Sequence, residues 1–306
     1  MVKLQLKEIN ERCRRDPAEF VGESEQAYQN TIRSVAEMVC TTHKERPIVL
    51  LNGPSSSGKT TTARCLRDEM ERMGVHSHAI SMDDYYQTRG SYPMPLDEDG
   101  NMDLESPLCM DLPMLSQHLT ALADGDEIQV PQYDFARRRR TDVTQPIRLK
   151  KDEVAVIEGI HALNDVITAP LAERSIGVYM AVGTQVVVTE RYQLAPHKLR
   201  FVRRAIRDKN FRSAPILETI ELWRSVRRGE KLYIHPYVPH AARIINTYLP
   251  YEDCVLMNLL REQAQPSLSE MQKAGLEDVI QALEIFEPMT DLSLLPARTI
   301  MHEFIG

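Results

Sequence analysis

Ile48–Ala63, IVLLNGPSSSGKTTTA, is the stretch on which the reading of this chain turns. It contains Gly53-x-x-x-x-Gly58-Lys59-Thr60, the phosphate-binding P-loop pattern. Ile48–Leu51 is a short apolar run of the kind that forms a parallel strand buried on both faces. From Lys59 onward Ala63, Leu66, Met70 and Met73 recur at helical spacing, and Gly74 marks a stop. Strand, glycine-rich loop and helix start is the order that phosphate binding needs. Gly53 and Gly58 reach backbone angles that other residues resist. Successive N–H groups then turn inward at a helix N-terminus that favours anions. Gly53, Ser55, Ser56, Ser57, Gly58, Lys59, Thr60 and Thr61 are therefore the expected ATP contacts. The Lys59 ammonium would meet the β- and γ-phosphates, and the Thr60 hydroxyl would be a Mg²⁺ ligand. A Ser/Gly loop that binds no nucleotide is the competing reading; the flanking strand and helix count against it.

The 306 residues suffice for one large α/β domain or two small ones. A net charge of −7 argues against bulk nucleic-acid binding and leaves room for a local basic patch. Cys13, Cys40, Cys65, Cys109 and Cys254 are scattered and odd in number, and none form a C-x-x-C pair. They read as reduced thiols of a cytoplasmic protein without a zinc site. Met1–Arg15 is charged and lacks the apolar centre of a secretory signal, and no apolar run approaches the length of a membrane span.

Along the chain, residues 1–45 read as a helical extension, with Phe20, Tyr28, Ile32, Val35, Ala36 and Val39 near one face. Packing on the rest of the chain and self-association into a homo-oligomer are both open for it. His76–Ser81 is expected as a strand, 86–107 as a long loop, Leu112–Ala123 as a helix and Glu127–Gln132 as a strand. Ile147–Lys150 reads as a hairpin arm, and Val154–Ile157 and Ile176–Val182 as buried strands. Leu199–Arg228 is expected as one long arginine-laden helical region, Arg243–Asn246 as a short strand, and Leu256–Gln263 and Glu270–Phe286 as helices. Strands alternating with helices imply a mostly parallel sheet.

Three groups of residues offer chemistry beyond the loop. Asp83-Asp84 follow a predicted strand, at the sheet edge where open α/β folds bind ligands. A carboxylate there accepts a hydroxyl proton or holds Mg²⁺; a capping pair is the plainer alternative. Glu158 ends the strand VAVI, the place of a Walker-B acid near Mg²⁺, with a loop cap as its alternative. Arg200, Arg203, Arg204 and Arg207 share one helical face, and Arg212 follows. Four cations on one face repel unless an anion stands opposite, so a lid closing over a triphosphate is expected, against a solvated or RNA-binding face. The run Arg137–Arg140 reads as solvated charge.

GPSSSGKTT, SMDDYY, PQYDF, VIEGI and RRAIRD, in this order and spacing, resemble the uridine kinase and phosphoribulokinase group of P-loop kinases. EGIHALN, ETIELWRSVRRGEK and ARTIMHEFIG look closer still to a bacterial nucleoside kinase branch. The resemblance implies a three-layer α/β P-loop kinase fold with a helical arginine lid at about 197–230. The resemblance runs from about Pro47 to Asn246, and the chain is expected to divide into a kinase domain over 46–265 and a C-terminal helical extension, 266–306, packed on it. It also implies that Asp83 is the catalytic carboxylate, that Lys59 and Arg207 act on the transferring phosphoryl group, and that Arg207 and Arg212 bind ATP. Thr60, Asp83 and Glu158 would hold Mg²⁺. Asp103 would accept the acceptor's ribose hydroxyls, Tyr133 would lie beside its base, and Arg204 would stand on the acceptor side.

Two departures bear on the acceptor. Arg138 stands where the pyrimidine kinases carry a base-contacting histidine, and Arg212-Ser213-Ala214 replaces R-G-R. The expected function is ATP- and Mg²⁺-dependent phosphorylation of a nucleoside 5′-hydroxyl, uridine or cytidine first, with another nucleoside or a sugar phosphate as the alternative. A regulatory nucleotide-binding protein is the rival from another class; Asp83, Asp103 and Tyr133 together favour the enzyme.

Overall fold

The computed structural model describes residues 1–306. A short strand missed by the periodicity, β1 (Val2–Gln5), precedes α1 (Leu6–Arg15) and α2 (Pro17–Thr42). Asp16 separates the two helices: its extended backbone ends α1 and its carboxylate accepts the Glu19 N–H at 2.9 Å, with Pro17 opening α2. Then come β2 (Ile48–Asn52), α3 (Lys59–Arg72) and β3 (His76–Ser81). A long loop with two short 3₁₀ turns leads to α4 (Leu112–Ala123), capped by the Asp111 carboxylate on the Met114 N–H. β4 (Ile128–Asp134) and β5 (Arg139–Ile147) form an antiparallel hairpin. Its second arm thus precedes the expected 147–150, because the arginine run is itself part of the strand.

β6 (Glu153–Gly159), α5 (Asp165–Thr168), β7 (Ser175–Ala181), β8 (Thr184–Val187) and β9 (Gln193–Leu194) follow. The expected single arginine helix is two, α6 (Pro196–Arg212) and α7 (Ile216–Gly229). Ser213 adopts a left-handed φ of 53° and Pro215 cannot continue a helix, so the chain breaks there. A π-helical turn, Glu230–Ile234, leads on towards β10 (Arg243–Asn246). α8 (Glu252–Ala264), α9 (Leu268–Lys273), α10 (Glu277–Ala282) and α11 (His302–Ile305) complete the fold. The helix expected over 270–286 is split by Gly275, at φ 70°.

The central sheet is five-stranded and wholly parallel, in the order β10-β7-β2-β6-β3. β2 lies in its middle and is buried at every residue. Its side chains alternate between layers: Val49 and Leu51 enter a cluster of 55 buried residues, Ile48 and Leu50 one of 22 on the other face. Each such burial contributes about 1.5–3 kcal/mol. The larger cluster runs from Leu6 on α1 to Phe304 on α11, so the segments flanking the sheet share its core. A small second sheet joins β1, β8 and β9. In the parallel register Ser81 of β3 and Leu51 of β2 both stand opposite Glu158 of β6. The phosphate-binding loop, Asp83 and Glu158 therefore leave the same carboxyl edge.

Candidate active site

The donor end of the site is built from backbone. A side chain at Gly53 would lie 2.3 Å from the Met180 carbonyl oxygen, and one at Gly58, φ 84°, would meet Ile300 at 1.9 Å. Both positions require glycine. The loop buries the Ser56 and Ser57 hydroxyls without a hydrogen-bond partner, an arrangement that a phosphate oxygen would satisfy. From the helix side, the Tyr28 hydroxyl of α2 meets the Thr62 hydroxyl at 2.6 Å, and Thr62 donates to the Gly58 carbonyl at 2.7 Å. The Lys59 ammonium folds back on the Pro54 carbonyl at 3.1 Å. Burial lowers its pKa, opposed by the charges of Glu158, Glu303 and Asp83.

Two carboxylates face that lysine. Burial raises the Glu158 carboxyl above its ordinary range, and Lys59 pulls it down. The Ser81 hydroxyl donates to Glu158 at 3.3 Å. Asp83 stands at the cleft surface with protein crowded around it; that desolvation, the largest cause, and Asp84 raise its pKa against Lys59 and Arg212. Glu158 and exposed Thr60 line one cavity, and Asp83 shares the charge of Lys59 with Glu158, so the residues expected to hold a metal offer oxygen donors alone. That suits Mg²⁺, which completes its shell with water and substrate phosphate. Asp84, by contrast, accepts the Tyr133 N–H at 3.1 Å and ties the hairpin to this edge. The acidic pair divides into one cleft residue and one structural residue.

The arginine face divides too, which corrects the expectation that α6 offers all its cations to a triphosphate. Arg203 is fully buried and bidentate on Glu252, at 2.8 and 2.6 Å, and donates to the Thr247 carbonyl at 2.7 Å. Arg200 pairs with buried Glu230 at 2.5 Å and holds the Ser55 carbonyl at 2.9 Å. These two residues clamp the loop from behind. The anions opposite the cationic face are thus the protein's own. Arg204, Arg207 and Arg212 converge on buried Asp208 at 3.2, 2.6 and 3.5 Å, and Arg204 also donates to the Ser55 hydroxyl at 3.1 Å. Leu199, Phe201, Val202, Ala205 and Ile206 bury the rest of α6, so it is a packed wall with Arg207 and Arg212 at its open end.

The residues expected at the acceptor are side chains from the long loop, the β4–β5 hairpin, α7 and the π-helical turn. Asp103 is 1% exposed. One carboxylate oxygen accepts from Arg228 at 2.8 Å and the Tyr233 hydroxyl at 2.7 Å; the other is buried and unpartnered. Beside it a cavity of ≈ 290 Å³ is lined by Tyr86, Tyr133, Phe135 and, at its polar side, Arg89 and Arg138. The three rings lie 5.0–6.1 Å apart, edge-on or tilted. Arg138 sits in the β4–β5 turn at φ 54°, its carbonyl accepting from the Arg89 N–H at 3.0 Å. The arginine run is not uniformly solvated. Arg140 is held by the Tyr86 and Tyr85 carbonyls and Asp111, at 3.0, 2.9 and 3.2 Å.

Several residues here were not tied to Asp103 by the sequence, although Arg227 or Arg228 could be expected to supply a substrate-side charge. Arg228 and Tyr233 reach Asp103 from 125 and 130 positions away. Glu105 stands between the two ends, facing Arg204, Lys59 and Asp103; burial pushes its carboxyl up to about 7. His161 is buried, its Nε2–H donates to the Glu105 carbonyl at 3.1 Å, and burial lowers its pKa to about 4, so it is neutral. Only the pairing of Asp103 with a guanidinium could have been guessed, from the ETIELWRSVRRGEK stretch.

A parallel sheet with a glycine cradle, an inward lysine and two acids at its carboxyl edge defines a P-loop nucleotide-binding protein. The sequence model of the phosphoribulokinase / uridine kinase family matches residues 48–253, and the chain belongs to that family. Uridine kinase of Halobacterium salinarum is 29% identical over 220 residues, 72% of this chain and 87% of that protein. Uridine kinase of Staphylococcus aureus is 28% identical over 203 residues, 66% of this chain and 88% of that one. Among solved structures, YFH7 of Saccharomyces cerevisiae aligns at TM-score 0.49 and 14% identity, over 71% of this chain and 98% of that one. No helix is long and apolar enough to cross a membrane.

Proposed function

We propose that this protein transfers the γ-phosphoryl group of ATP to the 5′-hydroxyl of a nucleoside, uridine in the first place. One observation carries the reading. The phosphate cradle and the half-satisfied Asp103 are linked through Glu105, which faces both Lys59 and Asp103, and Asp83 stands near Lys59 at the sheet edge. A protein that only switched on nucleotide would need no such second end. The relatives named uridine kinase support the choice of acceptor.

In this reading the free oxygen of Asp103 accepts a ribose hydroxyl, while Arg228 and Tyr233 hold the carboxylate in place. Tyr86, Tyr133 and Phe135 receive the base. Asp83 takes the proton of the attacking hydroxyl; its raised pKa makes it a better base than an ordinary aspartate. Lys59, Arg207 and Arg212 stabilise charge on the transferring group, and Arg204 anchors the loop beside Glu105. Held by Thr60, Asp83 and Glu158, Mg²⁺ would neutralise phosphate charge. Arg89 and Arg138 bring only donors to the cavity, which favours a base edge rich in carbonyl oxygens.

The test is ADP release from ATP against a panel of nucleosides and sugar phosphates, with Lys59→Ala as control. Uridine-dependent release that Lys59→Ala abolishes is the expected result. Release driven only by a sugar phosphate would move the acceptor, and nucleotide binding without release for any acceptor would favour a regulatory protein.

A further inference from the structure

Residues 299–306 pack against the phosphate-binding loop, although Glu303 and Thr61 are 242 positions apart. The segment is anchored on all sides. Thr299, Ile300, Met301 and Phe304 are fully buried. The Thr299 hydroxyl shares a buried network with Tyr251 and Glu25, in which Tyr251 donates to Glu25 at 2.5 Å. Ile300 fills the space that a side chain at Gly58 would take. The Arg203 guanidinium lies 4.9 Å from the Phe304 ring centroid, and the Phe304 carbonyl accepts from Asn210 at 3.1 Å.

From this fixed segment one half-buried side chain reaches the cradle. The Glu303 carboxylate accepts the Thr61 N–H at 3.3 Å, with Lys59, Glu158 and Arg203 as the nearby charges. Thr61 is the third residue of α3, and its N–H is among the donors that such a loop offers to phosphate. A bound phosphate takes that N–H. Glu303 cannot leave with its backbone, so its side chain must turn to an adjacent position. An anion pinned beside a phosphate cradle opposes binding unless it gains a partner of its own. The phosphate nearest the nucleoside carries a sugar, whose vicinal hydroxyls are two donors that one carboxylate accepts together.

We infer that Glu303 is a donor-side specificity residue, accepting the 2′- and 3′-hydroxyls of a ribonucleoside triphosphate. The inference rests on the reading of the cleft as a nucleotide site. It is tested by calorimetry on the full chain with Mg²⁺, titrating ATP, 2′,3′-dideoxy-ATP and inorganic tripolyphosphate into wild type, Glu303→Gln and Glu303→Ala. Wild type is expected to prefer ATP over the dideoxy nucleotide by about 10-fold, the scale of hydrogen bonds to a charged group. Glu303→Ala should lose that preference, ATP binding weakening while dideoxy-ATP and tripolyphosphate, which offer the carboxylate no partner, bind as tightly as before or tighter; Glu303→Gln, which keeps the shape, should lose part of it. Equal tightening of ATP and tripolyphosphate in Glu303→Ala would show a mere competitor for the Thr61 N–H and overturn the inference. An unmoved ATP to dideoxy-ATP ratio with a lower Tm would show a helix cap, and also overturn it. Wild type that binds no nucleotide would sink the kinase reading and this inference together; ATP binding with an unmoved ratio sinks this one alone.

Discussion

The donor and acceptor ends of the cleft are held together by different means. At the donor end glycine-specific backbone is braced by fully buried ion pairs, Arg203–Glu252 and Arg200–Glu230, that touch the loop from behind. At the acceptor end a carboxylate on a long loop is held by two side chains on α7 and the π turn, beside an aromatic cavity that opens to solvent. The first arrangement leaves little room for variation, since any change strains backbone or strands a buried charge. The second can change partner by changing a few side chains. Phosphoryl transfer is thereby separated from the choice of what receives it.

That contrast can be broken most sharply at Arg203. Arg203→Ala leaves Glu252 buried without its partner and should cost about 3–5 kcal/mol of stability in denaturant unfolding. A loss near zero would show that the donor end is not braced by this pair. Next in size, Asp83→Asn should lower kcat by about 10²-fold with the fold intact. Because the Asp83 pKa is raised, its basic form is lost as pH falls through a value above the ordinary aspartate range. Wild-type kcat/KM should show that acid limb and the variant should not; an unchanged limb would move the base elsewhere.

At the acceptor end effects should be smaller and fall on binding. Asp103→Asn should raise the acceptor KM by about 10-fold, with a lesser fall in kcat, and leave the KM for ATP alone. Parallel losses for both substrates would mean that the two ends are one unit. Smallest of all, uridine should be preferred to cytidine by about 3–10-fold in competition, because Arg89 and Arg138 can donate to a carbonyl oxygen but not accept from an amine. A cytidine preference would show that Arg138 does not face the base.

By itself the sequence determined the loop, the strand before it, the helix after it and the acids at the sheet edge. Those are local signals: glycine spacing, apolar runs and side-chain periodicity act over a few residues. The break at Ser213–Pro215 was equally local, yet the arginine periodicity on both sides of it outweighed the proline. Asp208, four residues from Arg204 and from Arg212, is a helix-spacing partner; only the tertiary structure decided what Arg200 and Arg203 do, because Glu230 and Glu252 are partners chosen by packing, and identical side chains on one face end in different environments. It alone brought Arg228 and Tyr233 to Asp103, and Glu303 to Thr61, across more than a hundred residues. A buried charge must find its counter-charge wherever the fold places one, and no spacing along the chain encodes that distance.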